Sequence, residues 1–337
     1  MKKALLVLVV AALIAAPVFA QIKVGLVTDV GGIDDKSFNQ GTWEGIVRFA
    51  NDFFKVKAPN ANFKYLQSGA EADYVPNLST FADEGLSLII APGFLFEQSM
   101  TKVATNYPTR KFLIIDSVVN LPNVASAVFA EHEGSFLVGV AAGLKAKADG
   151  KNIVGFIGGM QFPLIEKFQA GFEQGVKAVY PDCKILVDYA GDFAAPDKGQ
   201  ALAQKQYSAG AYIIFHAAGG TGNGLIKEAK ERSQKGDIRW AIGVDKDQYA
   251  DGIYSGTKSA VLTSMMKRVD VAAYEVSKMT MDGKFPGGQT LVFKVANKGV
   301  GIPEKNPNLS ADIVAKVKEY EALIASGKLI VSEIPAK

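Results

Sequence analysis

The chain contains few of the residues on which disulfide frameworks and metal centres depend. Its 337 residues include one cysteine, Cys183, and two histidines, His132 and His216. A single cysteine excludes an intramolecular disulfide and any metal site with several cysteine ligands. Two histidines far apart in sequence exclude a histidine-rich metal centre and argue against a histidine-based catalytic site. We therefore expect neither a metal nor a cofactor.

An excess of charge of one sign is also lacking. The chain has 37 Lys and Arg residues against 34 Asp and Glu residues, which gives a net charge of +3. Without Lys2 and Lys3 the balance is 35 against 34, a net charge of +1. Nucleic-acid-binding domains carry a basic excess or a basic stripe, so we expect no nucleic-acid partner. The length allows two domains of ordinary size.

Only the N-terminus carries a long hydrophobic run. A basic start at residues 1–3 is followed by thirteen apolar residues at 4–16 and by small residues up to Ala20. This is the layout of a secretory signal peptide, and the run is shorter than the ~20 residues that span a bilayer. We predict that residues 1–20 are cleaved and that the mature protein is periplasmic. Gln21 stands where a lipid-bearing cysteine would follow the cleavage site, so we expect no lipid anchor.

Short apolar runs alternate with helical patterns along the rest of the chain. One helical pattern is the apolar stripe of Trp43, Ile46 and Val47. Continuous apolar strands separated by helices are typical of a parallel sheet that is covered on both faces, which predicts an α/β fold. The predicted strands are 23–28, 63–67, 86–91, 112–115, 153–157, 184–189, 212–216, 240–244, 261–265 and 291–295.

The sequence repeats itself once, with a shift of 130 residues. Residues 24–27 correspond to 154–157, and the pattern Phe38-x-x-Gly41-x-x-x-Gly45 corresponds to Phe168-x-x-Gly171-x-x-x-Gly175. This predicts two similar doubly wound α/β domains, each beginning with a strand and a helix. We expect the helical glycines, which lack a Cβ, to let each helix pack close to its sheet.

Polar and aromatic residues follow many of the predicted strands. In doubly wound folds ligands bind beyond the carboxyl ends of the strands, so two facing domains would form a cleft that is lined by these loops. Aromatic rings can stack on a planar group, and carboxylates accept hydrogen bonds from N–H and O–H donors. The side chains predicted to face this cleft are Asp29, Phe38, Asp116, Phe193, Asp245 and Lys267.

Several enzyme motifs fail on inspection. The glycine-rich segment 219–224 resembles a phosphate loop, but Leu225 stands where the lysine is required. Asp245-x-Asp247 begins like a calcium loop, but Tyr249 and Ala250 do not fit the next positions. His216 closes an apolar strand and is interpreted as a buried structural residue. We therefore expect a binding cleft without catalytic residues, and no enzyme.

Six stretches of the sequence resemble one family. This is the basic membrane protein family of substrate-binding proteins of ABC transporters, which includes a purine nucleoside receptor. The resemblance implies a type I periplasmic binding protein fold with two doubly wound parallel-sheet lobes that are joined by three crossovers. It implies a first lobe of 21–127 plus 259–288 and a second lobe of 128–258 plus 289–337. The matching stretches are DVGGIDDKSFNQ (29–40), AEHEGSFLVGVAAG (130–143), GFIGGM (155–160), AGGTGNG (218–224), GVDKDQ (243–248) and TSMMKRVD (263–270).

The resemblance also implies roles for individual residues. Phe38 and Phe193 correspond to the pair that sandwiches a purine. First-lobe polar contacts correspond to Asp29, Asn39 and Asp116, and groups near the ribose correspond to Gly219, Asp245 and Lys267. The implied ligand is a nucleoside that is buried by hinge closure, and the implied partner is a membrane ABC permease, with the receptor itself a monomer.

Alternatives remain open at this point. A receptor for a sugar or another small signal molecule would use the same fold and would present its closed form to a membrane sensor. Many members of the family are lipoproteins, and Gln21 departs from that pattern.

Overall fold

The computed structural model describes residues 22–335. The predicted signal peptide lies outside the described residues. Among the helices that the structure describes, none is long and apolar enough to cross a membrane.

The described chain alternates strands and helices along most of its length. Its strands are β1 (Val24–Thr28), β2 (Phe63–Gln67), β3 (Leu88–Pro92), β4 (Phe112–Ile115), β5 (Val124–Phe129), β6 (Ile153–Gly158), β7 (Lys184–Tyr189), β8 (Ile213–Ala217), β9 (Trp240–Asp245), β10 (Ile253–Ser255), β11 (Lys258–Ser259), β12 (Val261–Lys267), β13 (Thr290–Phe293) and β14 (Val300–Gly301). Its α-helices are α1 (Phe38–Phe54), α2 (Tyr74–Asp83), α3 (Glu97–Asn106), α4 (Glu131–Ala148), α5 (Pro163–Val179), α6 (Pro196–Ser208), α7 (Gly222–Gln234), α8 (Val269–Met281) and α9 (Ala311–Ala325).

Two six-stranded sheets organise the structure. The first has the order β13-β5-β4-β3-β1-β2 and is parallel throughout. The second has the order β14-β12-β9-β8-β6-β7 and is parallel except for β14. Every residue of β1, β3, β4 and β8 is buried, as expected where helices cover both faces of a parallel sheet. The predicted α/β fold is confirmed.

Most predicted strands agree with the structure within two residues at each end. The strands β2, β4 and β7 have the predicted bounds. The prediction missed β5, whose sequence VASAVF is rich in small residues and follows Asn123 closely. It also missed the small hairpin of β10 and β11 and the two-residue β14.

Strand pairing revises two of the expected lobe boundaries. The strand β12 pairs with β9 in the second sheet, whereas β13 pairs with β5 in the first. Helix α8 packs on α1, and α4 and α9 pack on each other. The chain therefore passes between lobes after β5, after β12 and after β13, instead of after residues 258 and 288. The lobe to which β12 or β13 belongs depends on the strand with which it pairs, and the apolar pattern of a strand does not reveal its pairing partner.

The repeated helical glycines pack on helices instead of on the sheets. An added Cβ at Gly45 would lie 2.2 Å from the carbonyl oxygen of Asp270, at the start of α8. One at Gly175 would lie 2.1 Å from the carbonyl oxygen of Phe136 in α4. Our expectation was therefore wrong about the partner: α1 and α5 pack against the helices that begin directly after two of the crossovers. The repeat therefore corresponds to two equivalent helix pairs beside the crossovers, α1 with α8 and α5 with α4.

Candidate ligand-binding site

A cavity lies between the two lobes, where the carboxyl ends of both sheets face each other. The space between its walls measures about 630 Å³, a figure that includes volume open to solvent. The structure brings all eight predicted site residues to the wall of this cavity: Asp29, Phe38, Asn39, Asp116, Phe193, Gly219, Asp245 and Lys267.

The loop after β1 forms the first wall. Asp35 accepts hydrogen bonds from the backbone N–H groups of Asn39 (2.8 Å) and Gln40 (3.1 Å) and thereby caps the start of α1. The side-chain nitrogen of Asn39 donates to Asp29 (2.8 Å) and to Asp35 (3.0 Å). These bonds leave the buried Oδ1 of Asn39 as an acceptor without a donor among the described residues. Burial raises the pKa of Asp29 to about 6.

Two aspartates stand at strand ends in the left-handed region of backbone conformation. Asp116 follows β4 with φ of 66°, and Asp245 ends β9 with φ of 67°. Asp and Asn adopt this conformation more readily than most residues do. The Oδ1 atom of Asp116 is buried and has no hydrogen-bond donor among the described residues. Burial raises the pKa of Asp245 to about 6, although Lys267 and the Ser37 hydroxyl hold it lower than burial alone would.

Lys267 is the cation that lines the cavity. Its side chain is 2% exposed, and its ammonium forms an ion pair with Asp116 and lies 3.6 Å from a carboxylate oxygen of Glu131. Burial alone would lower the pKa of Lys267, but the carboxylates of Asp116, Glu131 and Asp245 raise it overall. Its side chain is therefore charged at neutral pH.

Aromatic rings from both lobes surround this cation and the cavity. The ammonium of Lys267 lies 5.0 Å from the ring centroid of Phe38, in the first lobe, and 5.4 Å from that of Phe168, in the second. The sequence reasoning missed Phe168 as a wall residue. The repeat contained the signal, because Phe168 occupies the position of Phe38 in the second copy. Phe94 was also missed; its ring packs edge to face with Phe193, with 6.1 Å between their centroids.

Contacts between the lobes surround the cavity. The Ser37 hydroxyl donates to the carboxylate of Asp245. Asn223 donates to the carbonyl oxygen of Asp35 (3.0 Å), and Gln248 donates to that of Lys36 (3.1 Å). The structure therefore shows the loop of residues 35–37 in contact with the second lobe.

His216 lies behind the second wall and does not line the cavity. Its Nε2 atom lies 3.1 Å from the Oε1 atom of Gln248. Burial lowers the pKa of His216 to about 4, so the imidazole is neutral. Within residues 22–335, no group of three His, Cys, Asp or Glu side chains is arranged to hold a metal ion.

Two parallel-sheet lobes, three crossovers and a cavity at the facing strand ends define a type I solute-binding protein. A match over residues 22–334 to the family described as ABC transporter substrate-binding protein PnrA-like (Bmp) shows that the chain belongs to that family. This confirms the family that the sequence motifs indicated.

Relatives and a solved structure agree with this assignment. A CD4+ T-cell-stimulating antigen of Listeria innocua is 43% identical over 93% of this chain and 88% of its own length. An ABC transporter nucleoside-binding protein of Lactococcus lactis, BmpA, is 36% identical over 92% of this chain and 89% of its own length. A solute-binding protein of an ABC transporter system from Aeropyrum pernix has a TM-score of 0.80 at 26% identity, with 92% of each chain covered.

Proposed function

We propose that the protein binds a nucleoside, and in particular a purine nucleoside, between its lobes and delivers it to a membrane ABC permease. The observation that carries this proposal is the composition of the cavity lining: it combines phenyl rings from both lobes with buried acceptor oxygens that have no donor among the described residues. The name of the Lactococcus lactis relative, a nucleoside-binding protein, supports the same ligand class.

The rings suit a flat heterocycle. Phe38 belongs to the first lobe and Phe193 to the second, and both line the cavity. A planar base between them would offer one face to each ring, and stacking of this kind contributes ~1–3 kcal/mol per base. A saturated sugar has no π-face, so it would use these rings less well.

The polar groups suit a ligand that is rich in hydrogen-bond donors. The Oδ1 atoms of Asn39 and Asp116 are buried and lack donors within residues 22–335. Buried acceptors without partners are costly, so a ligand that donates to them would gain affinity. Ribose hydroxyls and the N–H groups of a base supply such donors.

The charges favour a nucleoside over a nucleotide. The carboxyl groups of Asp29, Asp35, Asp116 and Asp245 line the cavity, whereas the single cation among the lining residues, Lys267, is already paired. A phosphate group would meet like charges in a buried site, which opposes its entry. The proposed ligand therefore carries no phosphate group.

The proposed mechanism is closure of the lobes around the ligand. The contacts of residues 35–37 with the second lobe would form as the lobes approach, and the closed form would dock on the permease. In this proposal residues 1–20 direct export and are then removed, and the protein acts in the periplasm as a monomer and catalyses no reaction.

Two measurements test the proposed ligand. Mass spectrometry of small molecules released from the purified, denatured protein should show a nucleoside. Calorimetry on ligand-depleted protein should show micromolar or tighter binding of inosine, guanosine or adenosine, which corresponds to about −8.2 kcal/mol or better. Inosine 5′-monophosphate and galactose are the matched controls and should bind far more weakly. Tighter binding of a sugar than of every nucleoside would refute the proposal.

A further inference from the structure

Glu131 is a buried carboxylic acid beside the cavity whose role is not explained by the ligand contacts proposed above. It is the first residue of α4, directly after the first crossover, and it is 0% exposed. Apart from its own backbone, neither carboxylate oxygen has a hydrogen-bond donor among the described residues. It does not line the cavity.

The ammonium of Lys267 is the cation that Glu131 faces. One carboxylate oxygen of Glu131 lies 3.6 Å from the Nζ atom of Lys267, and that same Nζ atom forms an ion pair with Asp116. A buried carboxylate is stable only when it is paired or protonated. Pairing with the ammonium of Lys267 therefore stabilises the buried carboxylate of Glu131. Glu131 can influence the cavity only through Lys267, because Glu131 does not line the cavity itself.

The position of that ammonium decides which acceptors remain available. A lysine has three N–H donors and no acceptor. With one donor on the Oδ2 atom of Asp116 and the Nζ atom 3.6 Å from a carboxylate oxygen of Glu131, the Oδ1 atom of Asp116 stays without a partner and is free for a ligand. Without the pull of Glu131, the ammonium would be free to move onto both oxygens of Asp116 and occupy that acceptor.

We propose that Glu131 is a positioning residue for the ligand site: it holds the Lys267 ammonium between two carboxylates, so that Asp116 keeps one oxygen for a ligand donor. The inference rests on the proposed nucleoside function. Glu131 lies at the first crossover, where the chain passes from the first lobe into the second.

The aromatic surroundings of Lys267 support this geometry. Its Nζ atom lies 5.0, 5.1 and 5.4 Å from the ring centroids of Phe38, Phe129 and Phe168. These distances fall within the range of cation–π attraction, so the rings stabilise the ammonium beside its carboxylate partners.

A double-mutant cycle on inosine binding tests the proposal. Glu131→Gln keeps the shape of the side chain but removes its charge, and it should weaken inosine binding about tenfold, which corresponds to ~1.4 kcal/mol. In a Lys267→Met background the same Glu131→Gln change should leave affinity unaltered, because the group through which it acts is gone. Glu131→Asp, which keeps the charge, should recover part of the loss.

A matched control is available two residues further along the same helix. Glu133 accepts a hydrogen bond from the backbone N–H of Val295 (2.8 Å), and glutamine can still accept that bond. Glu133→Gln should therefore bind inosine as the wild type does. Circular dichroism and thermal melting confirm that each variant is folded before binding is compared.

The outcomes separate this inference from the proposed function. Wild-type protein that binds no nucleoside would overturn the proposed function and this inference with it. Wild-type protein that binds inosine, with equal losses from Glu131→Gln in the presence and absence of Lys267, would overturn only the positioning role. A loss that vanishes in the Lys267→Met background supports it.

Discussion

The hydroxyl of Ser37, in the first lobe, donates a hydrogen bond to the carboxylate of Asp245, in the second. Both side chains are buried, and Asp245 lines the cavity. This bond joins the loop before α1 to the end of β9. The bond forms only when the lobes are in contact, and it favours the charged form of Asp245.

Ser37→Ala should weaken nucleoside binding. A hydrogen bond to a charged group contributes about 1.5–3 kcal/mol, so the loss should be roughly ten- to a hundredfold in Kd. The dissociation rate should carry most of this change, because the bond forms only when the lobes are together. Stopped-flow fluorescence measures that rate. Ser326→Ala, at the end of α9, serves as the control, and equal dissociation rates for all three proteins would contradict the prediction.

Phe193→Ala should weaken binding of purine nucleosides by about 1–3 kcal/mol, the contribution of one stacked face. Calorimetry measures the change directly. Phe53→Ala is a fair control, because Phe53 is 36% exposed and does not line the cavity. Unchanged affinity in Phe193→Ala would remove this ring from the binding site.

The architecture could be predicted from local patterns and from the repeat. The bounds of β4, for example, follow from the continuous apolar run FLII, which is flanked by Lys111 and Asp116. The strand β5 was missed because Ala and Ser give a weak apolar signal. The assignment of β12 and β13 to their sheets was wrong because it depends on pairing between strands that are distant in sequence.

The candidate site could be predicted in part for a similar reason. Strand-end residues share one edge of a parallel sheet, so Asp116 and Asp245 could be placed near a cleft from their positions alone. Glu131 could not, because it follows β5, which was missed, and its partner Lys267 is 136 positions further along the chain. Phe168 occupies the position of Phe38 in the repeat, but the role of Phe38 was not carried over to it.

Gly45→Ala should destabilise the fold. Alanine in a helix interior would ordinarily gain about 1 kcal/mol over glycine. Here its Cβ would lie 2.2 Å from the carbonyl oxygen of Asp270, and overpacking of this kind costs about 1–3 kcal/mol or more. Gly301→Ala, where an added Cβ meets no atom within 4 Å, should leave stability nearly unchanged. Urea denaturation measures both, and equal midpoints would contradict the packing role of Gly45.

His216 should make folding stability fall as the pH is lowered. Burial lowers its pKa from 6.5 to about 4, so below pH 6.5 the unfolded chain binds a proton that the folded protein does not. The contribution of the neutral His216 to the free energy of unfolding is therefore complete above about pH 6.5. It is lost toward pH 4, at about 1.4 kcal/mol per pH unit.

His216→Gln isolates this effect, because Asp29, Asp245 and Glu131, whose pKa values burial raises to about 6, about 6 and about 7, titrate in both proteins and cancel in the difference. Glutamine also retains a polar group near Gln248, the present partner of His216. Between pH 7.5 and 5.5 the wild type should lose about 1.4 kcal/mol of unfolding free energy relative to the variant. Urea denaturation at both pH values measures this difference. Parallel losses in the two proteins would show that His216 takes up its proton in the folded state, and the neutral buried imidazole would have to be abandoned.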